Sequence, residues 1–276
     1  MSETTTVRVD ITSVDAAGGP ATGLAALPSQ SLVETGRLLR RWSRQPEVIT
    51  STLVFPILLL LMYDLVLDKA LGATGGDPIY GFVPMIAVAG AMYGAMGTGL
   101  SLFGERESGL LRRFWVLPIH RAAGLIGRLL AECGRAAAAT VVVVVVGLIL
   151  GLRFEQGWAG ALGVLAVPVI VIAGFTPVVI MVGVSSVGDK VVQLFAIVVL
   201  VGMFFNSGFV PVQNYPGWLQ PVVRAQPMSC AIEAMRNFML GGPLVVPVLQ
   251  TLAWAVGLIV VFGALAVRGY RKAAES

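Results

Sequence analysis

The sequence predicts an all-α integral membrane protein with six membrane-spanning helices. Hydrophobic residues make up 57% of the 276 residues and charged residues only 12%, whereas typical soluble domains have roughly 45–50% and ~25%. So few charges would not cover the surface of a soluble protein of this size. The apolar residues also gather into segments of about 20 residues, the length that a helix needs to cross a bilayer. This composition argues against soluble enzymes and nucleic-acid-binding proteins.

The domain organisation follows from where these apolar segments lie. Residues 1–30 are polar and rich in Thr, Ser and Gly, which predicts a disordered cytoplasmic tail. Residues 31–270 form one transmembrane domain, and residues 271–276 form a short cytoplasmic tail. The predicted spans cover about 47–67, 80–103, 132–152, 160–184, 191–211 and 247–267. Prolines inside several spans are tolerated because neighbouring helices in a bundle can satisfy the freed carbonyls.

Basic residues predict the orientation of these spans. Six spans place both termini on one side, which carries fifteen of the 19 basic residues. The other side carries the remaining four, which are Lys69, Arg153, Arg224 and Arg236. Because basic residues concentrate in cytoplasmic loops, both termini are expected in the cytoplasm of a bacterial cell. The protein is therefore expected in the inner (plasma) membrane as a multi-pass protein.

The segment from Ser31 to Gln45 has the pattern of an amphipathic helix. Ser31 followed by Glu34 predicts a capping box at the helix start. Apolar residues that include Leu38 and Trp42 then recur at helical spacing, with basic residues such as Arg41 between them. The pattern favours a helix lying in the inner membrane interface. The alternative is a basic flank that only fixes the topology.

Two further patterns leave alternatives open. Arg128, Glu132 and Arg135 share one helical face, so the third helix should project into the cytosol before it enters the bilayer. That face is either a structural ion-pair stripe, with Glu132 paired to one of the arginines, or a proton relay. Gly90 and Gly94 form a GxxxG spacing, which serves either packing within the chain or a contact between two protomers.

The outer stretch from Val212 to Val246 is too long and too apolar for a simple exposed loop. It predicts short helices that re-enter the outer leaflet, one of them from Ser229 to Leu240. Just before it, Asn206 and Ser207 form a polar pair near the end of the fifth span. The pair either lines a substrate path or satisfies the backbone where that helix breaks.

The sequence carries no catalytic constellation. It has one histidine, two cysteines and no GxxxxGK[ST] phosphate loop, so it should not hydrolyse ATP by that route and should need no cofactor of its own. Almost no ionisable residue is expected deep in the spans, where ion-coupled carriers usually keep one. The lack of deep charge pairs also predicts an apolar or amphipathic cargo.

The segment from Gly104 to Pro118 is the strongest local signal on the cytoplasmic side. Glu105 and Glu107, with Arg106 between them, should begin a short helix whose dipole favours acids. Leu110 and Phe114 lie on an apolar face of that helix, which Pro118 ends. This face should pack either on the membrane surface or on a cytoplasmic partner.

These motifs resemble those of the ABC-2 type permeases of ABC exporters. The Glu-Arg-Glu-x-Gly run at 105–109, with Pro118 nine residues later, is similar to that family's coupling-helix signature. Residues 205–211 and 215–221 are similar to its fifth-helix end and outer hairpin, and residues 115–121 resemble the daunorubicin/doxorubicin-resistance (DrrB/DrrC-like) permeases of actinobacteria. The resemblance covers about residues 31–270. Leu110 departs from it, because many members carry Thr there.

The resemblance implies the ABC-2 exporter fold and a half-transporter that works with other chains. Two permease protomers, identical or homologous, would join two copies of a cytoplasmic ATPase that binds ATP and Mg. The cargo would be a drug such as an anthracycline or a complex lipid, in contact with membrane lipid and without nucleic acid. The alternative function is a secondary carrier or a non-enzymatic membrane scaffold.

The patterns above and the resemblance together give candidate roles to individual residues. The residues expected to couple the chain to the ATPase are Glu105, Arg106, Glu107, Gly109, Leu110, Phe114 and Pro118. Those of the interfacial helix are Leu38, Arg41 and Trp42. Those of a substrate path or outer gate are Asn206, Ser207, Tyr215 and Trp218. None of these residues is expected to be catalytic or to bind a metal.

Overall fold

The computed structural model describes residues 26–66, 78–109, 122–185, 188–208 and 210–275, which form helices and turns without a strand. The helices are α1 (Leu27–Trp42), α2 (Pro46–Ile49), α3 (Phe55–Val66), α4 (Ile79–Glu107), α5 (Ala123–Ile149), α6 (Gly157–Gly183), α7 (Gly188–Phe204), α8 (Gln220–Ala225), α9 (Pro227–Leu240) and α10 (Val245–Glu275). This confirms the predicted all-α fold.

Four of the described helices are long and apolar enough to cross a membrane. They are α4, α5, α6 and the Val245–Gly269 part of α10, and they match the second, third, fourth and sixth predicted spans. Helix α5 begins at Ala123 rather than near residue 132, as expected for a helix that extends beyond the bilayer. Helix α7 corresponds to the fifth predicted span but ends at Phe204, before residue 211.

The first predicted span is helical over residues 46–66 but is interrupted by a π-helical turn. This turn (Thr50–Val54) joins α2 to α3 and ends two residues before the buried Pro56. Proline has no N–H to donate to the carbonyl four residues earlier, so a wider turn accommodates the missing bond. The local irregularity therefore follows from one residue of the sequence.

Helices α4 and α6 lie at the centre of the bundle. Helix α4 packs against α5, α6, α7 and α9, and α6 packs against α10 as well as α4, α5 and α9. In α4, 78% of the most apolar stretch is buried inside the protein. In α10, only 17% of the corresponding apolar stretch is buried. Much of α10 is therefore left to face lipid or another subunit.

Small residues allow the central helices to approach closely within one chain. A Cβ at Gly183 of α6 would lie 2.6 Å from the carbonyl oxygen of Gly99 of α4. A Cβ at Gly174 would lie 2.5 Å from the Cα of Ala255 on α10. Gly90 faces Pro56 of the same chain, and Gly94 faces α5, as described below. These contacts favour the packing interpretation of the glycine spacing in α4.

Helix α1 differs from its predicted form at its start and in what it contacts. It begins at Leu27 with Pro28 in its first turn, so Ser31 lies inside the helix and the predicted capping box is wrong. Glu34 bonds Arg37 instead of the backbone. Proline suits a first helical turn because its missing N–H would have no partner there. The helix packs along α5, where a Cβ at Gly127 would meet the side chain of Glu34 at 2.8 Å.

The stretch from Val212 to Val246 contains the predicted short helices. A 3-10 turn (Val212–Asn214) precedes α8, and α9 begins at Pro227, two residues before the predicted Ser229. Helix α9 is mostly buried and packs against α4, α6 and α10. Gly241 then ends α9 with a φ of 74°, a left-handed conformation that glycine adopts without strain. Helix α9 is thus part of the helical core.

Candidate functional site

The charged residues at 105–107 lie at the end of α4 and not at the start of a separate helix. Helix α4 continues through Glu107, and Gly109 follows it with a φ of 71°, typical of a residue just past a helix end. The prediction that these acids begin a helix and gain from its N-terminal dipole is therefore wrong. Leu110, Phe114 and Pro118 lie outside the described residues.

Glu105 is a buried carboxylate that joins three helices. It is 5% exposed and accepts hydrogen bonds from Arg128 of α5, which is 3% exposed, and from Arg41 of α1 at 3.4 Å. Arg106 beside it is half-buried, and Glu107 is exposed. The charged residues at 105–107 therefore differ in role. Glu105 connects α4 to α5 and α1, whereas the side chain of Glu107 is exposed.

The residues predicted for the interfacial helix contact the rest of the bundle. Leu38 is 3% exposed, Arg41 reaches Glu105, and Trp42 is half-buried. The hydroxyl of Thr35 donates to the carbonyl of Gly127 on α5 at 3.1 Å. Helix α1 is therefore fixed to the same ends of α4 and α5 that Glu105 connects.

A second ion pair lies deeper, between α5 and the middle of α4. Glu132 is fully buried and accepts bonds from Arg135, at 2.6 and 3.0 Å, and from the hydroxyl of Thr98. Arg135 also donates to the carbonyl of Ala91 at 2.9 Å. At 1.5 Å per residue, Ala91 lies about 18 Å from Ile79 at the N-terminal end of α4, well within the span. The expectation that almost no ionisable residue lies deep was wrong for this pair.

Gly94 makes room for this deep ion pair. A Cβ at Gly94 would overlap the guanidinium of Arg135, so the arginine lies directly on the α4 backbone. Because both charges bond each other and their neighbours, the structure favours the ion-pair interpretation over a proton relay. The sequence signal was the i, i+3 spacing of Glu132 and Arg135 opposite a glycine-rich helix.

Asn206 and Ser207 complete the backbone where α7 ends. The amide of Asn206 donates to the carbonyls of Met203 and Gly202, and its oxygen accepts from the N–H of Gly208 at 2.7 Å. Ser207 exchanges two hydrogen bonds with Ser229 of α9, at 3.2 and 3.3 Å. Both are buried. These bonds favour the backbone interpretation of the pair over a role in lining a path.

Tyr215 joins this site, but Trp218 does not. The hydroxyl of Tyr215 donates to the carbonyl of Asn206 at 3.1 Å, and burial raises the pKa of this phenol above its ordinary value. The side chain of Trp218 is 77% exposed. Tyr215 therefore holds the turn against the end of α7, and Trp218 faces away from the protein.

Two residues of this site at the end of α7 were missed in the sequence. Arg236 of α9 donates to the carbonyl of Ser207 at 2.7 Å, and Gln226 donates to the carbonyl of Phe205. Both are polar residues in an otherwise apolar stretch, which was the available signal. Together with Ser229 they connect the end of α7 to α9.

Comparison with known proteins identifies the family. Residues 29–240 match the ABC-2 type transporter family. The chain belongs to this family. The family membership confirms the resemblance drawn from the motifs, and it makes the chain a permease subunit of an ABC transporter.

Relatives of this ABC-2 permease carry drug-resistance names. The chain is 40% identical over 246 residues to the probable doxorubicin resistance ABC transporter permease protein DrrC of Mycobacterium tuberculosis (strain H37Rv). These aligned residues cover 89% of this chain and 89% of that relative. The protein of strain CDC 1551 gives the same values. The daunorubicin resistance ABC transporter permease protein DrrB1 of Streptomyces coeruleorubidus is 30% identical over 276 residues, which cover 99% of this chain and 96% of that relative.

Replacing Asn206 by alanine should destabilise the end of α7 in this ABC-2 permease. The change leaves buried backbone groups of α7 and Gly208 without their partner, which typically costs about 1–3 kcal/mol for each unsatisfied group. The measurement is thermal unfolding of the purified permease in detergent. Asn214→Ala is the matched control, because Asn214 is exposed. Equal melting temperatures for the two variants would show that Asn206 does not hold the α7 end.

Proposed function

We propose that this chain is the membrane-spanning subunit of an ATP-driven exporter of apolar or amphipathic molecules. Two permease protomers, identical or homologous, would work with two copies of a separate cytoplasmic ATPase that binds ATP and Mg. Both termini would lie in the cytoplasm of a bacterial cell. The family and the relatives named as resistance permeases support the permease role. A drug or a complex lipid is the proposed cargo.

The Glu105 cluster is the observation that carries the mechanism. Glu105 lies in the last turn of α4, beside the segment expected to meet the ATPase. Because it bonds both Arg128 and Arg41, a displacement at this end of α4 would move α5 and α1 with it. Helix α4 then runs through the centre of the bundle to the outer site, where Gly81 packs against Gly208. A motion driven by nucleotide binding in the ATPase would thus reach the outer side through α4.

The coupling role is assigned to residues at the cytoplasmic edge. Glu107 is the exposed charge of the Glu105–Glu107 run, and Gly109 lets the chain turn away from α4. The segment that follows, with Leu110, Phe114 and Pro118, would form the apolar surface that contacts the ATPase. A charged rim around an apolar centre is typical of protein interfaces.

The proposed function is tested by reconstituting the permease with a candidate ABC ATPase subunit from the same cell. The two should copurify, and the complex should hydrolyse ATP faster in the presence of a transported hydrophobic compound. Export from proteoliposomes should require ATP and stop with a hydrolysis-deficient ATPase. Export that survives ATP depletion but stops with a proton uncoupler would instead show a secondary carrier.

A further inference from the structure

An apolar cavity of about 310 Å³ lies between α4, α6, α7, α9 and α10. Its inner part is lined by Met92, Phe175 and Phe195, and its outer part by Gln226 and Thr251. The volume lies at the lower end of the range for small-molecule pockets, ~300–1,000 Å³. None of the residues assigned above to coupling lines it.

The cavity opens sideways between α7 and α10. These two helices form adjacent walls but pack against other helices and not along each other. At the rim of the opening, the side chain of Val198 is 57% exposed and that of Trp254 is 42% exposed. Because both helices are apolar, the opening faces the hydrocarbon layer and not water.

One polar atom at the outer end of the cavity is available to a ligand. Gln226 donates from its amide nitrogen to the carbonyl of Phe205 and to the hydroxyl of Ser229, at 3.0 Å for the latter. A carbonyl only accepts, so this bond fixes the orientation of the amide and leaves Oε1 as the free acceptor. Among the described residues, no donor bonds this Oε1. The hydroxyl of Thr251 is used locally, since it donates to the carbonyl of Pro247 at 2.8 Å.

The lining favours a flexible chain over a flat ring system. Phe175 and Phe195 stack on each other, with ring centroids 5.1 Å apart and planes inclined by 24°. They leave no slot between them for a planar ligand, and the other apolar walls are mostly aliphatic. A free acceptor at one end requires a ligand with a hydroxyl or amide N–H near the start of its chain.

We propose that this cavity binds a single acyl chain of an amphipathic molecule, with a hydroxyl or amide N–H near the polar end bonded to Gln226. The chain would reach it from the bilayer through the gap between α7 and α10. The source of the chain is either the exported cargo or a resident bilayer lipid. The claim that this cavity takes part in export rests on the proposed function. The claim that the cavity binds an acyl chain does not.

The test uses the full-length permease alone in lipid nanodiscs, without ATPase. The probe is a monoacylglycerol with a photoreactive diazirine on its acyl chain, and labelled peptides are identified by mass spectrometry. We expect labelling of α7 and α10 peptides, and Val198→Trp should reduce it about tenfold, as expected when roughly two methylene groups lose burial. Val201→Trp is the matched control, because Val201 is an exposed valine of α7 outside the cavity.

A second measurement tests the hydrogen bond without changing the protein. The same probe with its hydroxyls methylated should label the wild-type cavity several-fold less, because Gln226 then lacks a donor. Equal labelling by both probes would overturn the assigned role of Gln226. Equal labelling in Val198→Trp and Val201→Trp, or stronger labelling by a planar polycyclic probe, would overturn the acyl-chain site.

Export by the reconstituted complex separates the two sources. If Val198→Trp loses both labelling and ATP-dependent export, the cavity binds cargo. If it loses labelling and keeps export, the cavity holds a bilayer lipid. If the wild-type complex shows no ATP-dependent export, the proposed function is refuted, but the labelling result on acyl-chain binding still holds.

Discussion

Replacing Arg135 by leucine should remove most of the folded permease. Glu132 is fully buried, and the change leaves it without its charge partner inside the bundle. Breaking a buried ion pair by removing one partner typically costs about 3–5 kcal/mol, a large share of the ~5–15 kcal/mol that stabilises a protein. The measurement is the yield of monodisperse protein by size-exclusion chromatography, together with its thermal unfolding.

The double variant Glu132→Leu/Arg135→Leu is the control for this prediction. Because it removes both charges, most of the stability should return, since apolar replacement of a buried pair is often neutral. Gly94→Ala should destabilise the wild type, where its Cβ overlaps the Arg135 guanidinium, and should be tolerated in the double variant. A single Arg135→Leu variant as stable as the double variant would contradict this account.

The deep ion pair also bears on the cargo. Glu132 and Arg135 bond each other, Thr98 and the α4 backbone, and neither lines the apolar cavity. These two charged groups therefore pair inside the bundle and do not create a polar site for an ionic molecule. The inference of an apolar or amphipathic cargo now rests on where the charges point and no longer on their absence.

Hydropathy was sufficient to locate the long helices, but not to locate their ends. The second span was expected to end near residue 103, where charges begin, yet α4 continues through Glu107. The additional turn is stabilised by Arg128 and Arg41, which come from two other helices. Such contacts between distant residues leave no signal in a local pattern.

The start of α1 and the role of Asn206 show the same limit. A capping box at Ser31 is a local pattern, but Pro28 allowed the helix to begin four residues earlier and placed Ser31 in its interior. For Asn206, two roles were compatible with the sequence. Only the positions of Gly208 and of the last α7 carbonyls favour the backbone role.

Glu105→Gln and Glu107→Gln should separate stability from ATPase coupling. Glu105→Gln leaves the buried Arg128 without its carboxylate, a loss of about 3–5 kcal/mol by analogy with other buried pairs. It should lower the melting temperature and weaken the contact of Arg41 on α1 with α4, and ATPase association should fall with it. Glu107 is exposed, so its replacement should keep the melting temperature and weaken only the association with the ATPase.

The measurements are thermal unfolding, copurification of the ATPase and ATP-dependent export on one preparation of each variant. Glu105→Gln/Arg128→Gln replaces the ion pair by two neutral amides and should recover part of the stability lost in the single variant. If it recovers stability but not export, the charged Glu105–Arg128 pair itself contributes to coupling. If Glu107→Gln keeps full association and export, the exposed end of α4 is not part of the docking surface. The coupling role would then pass to residues 110–118.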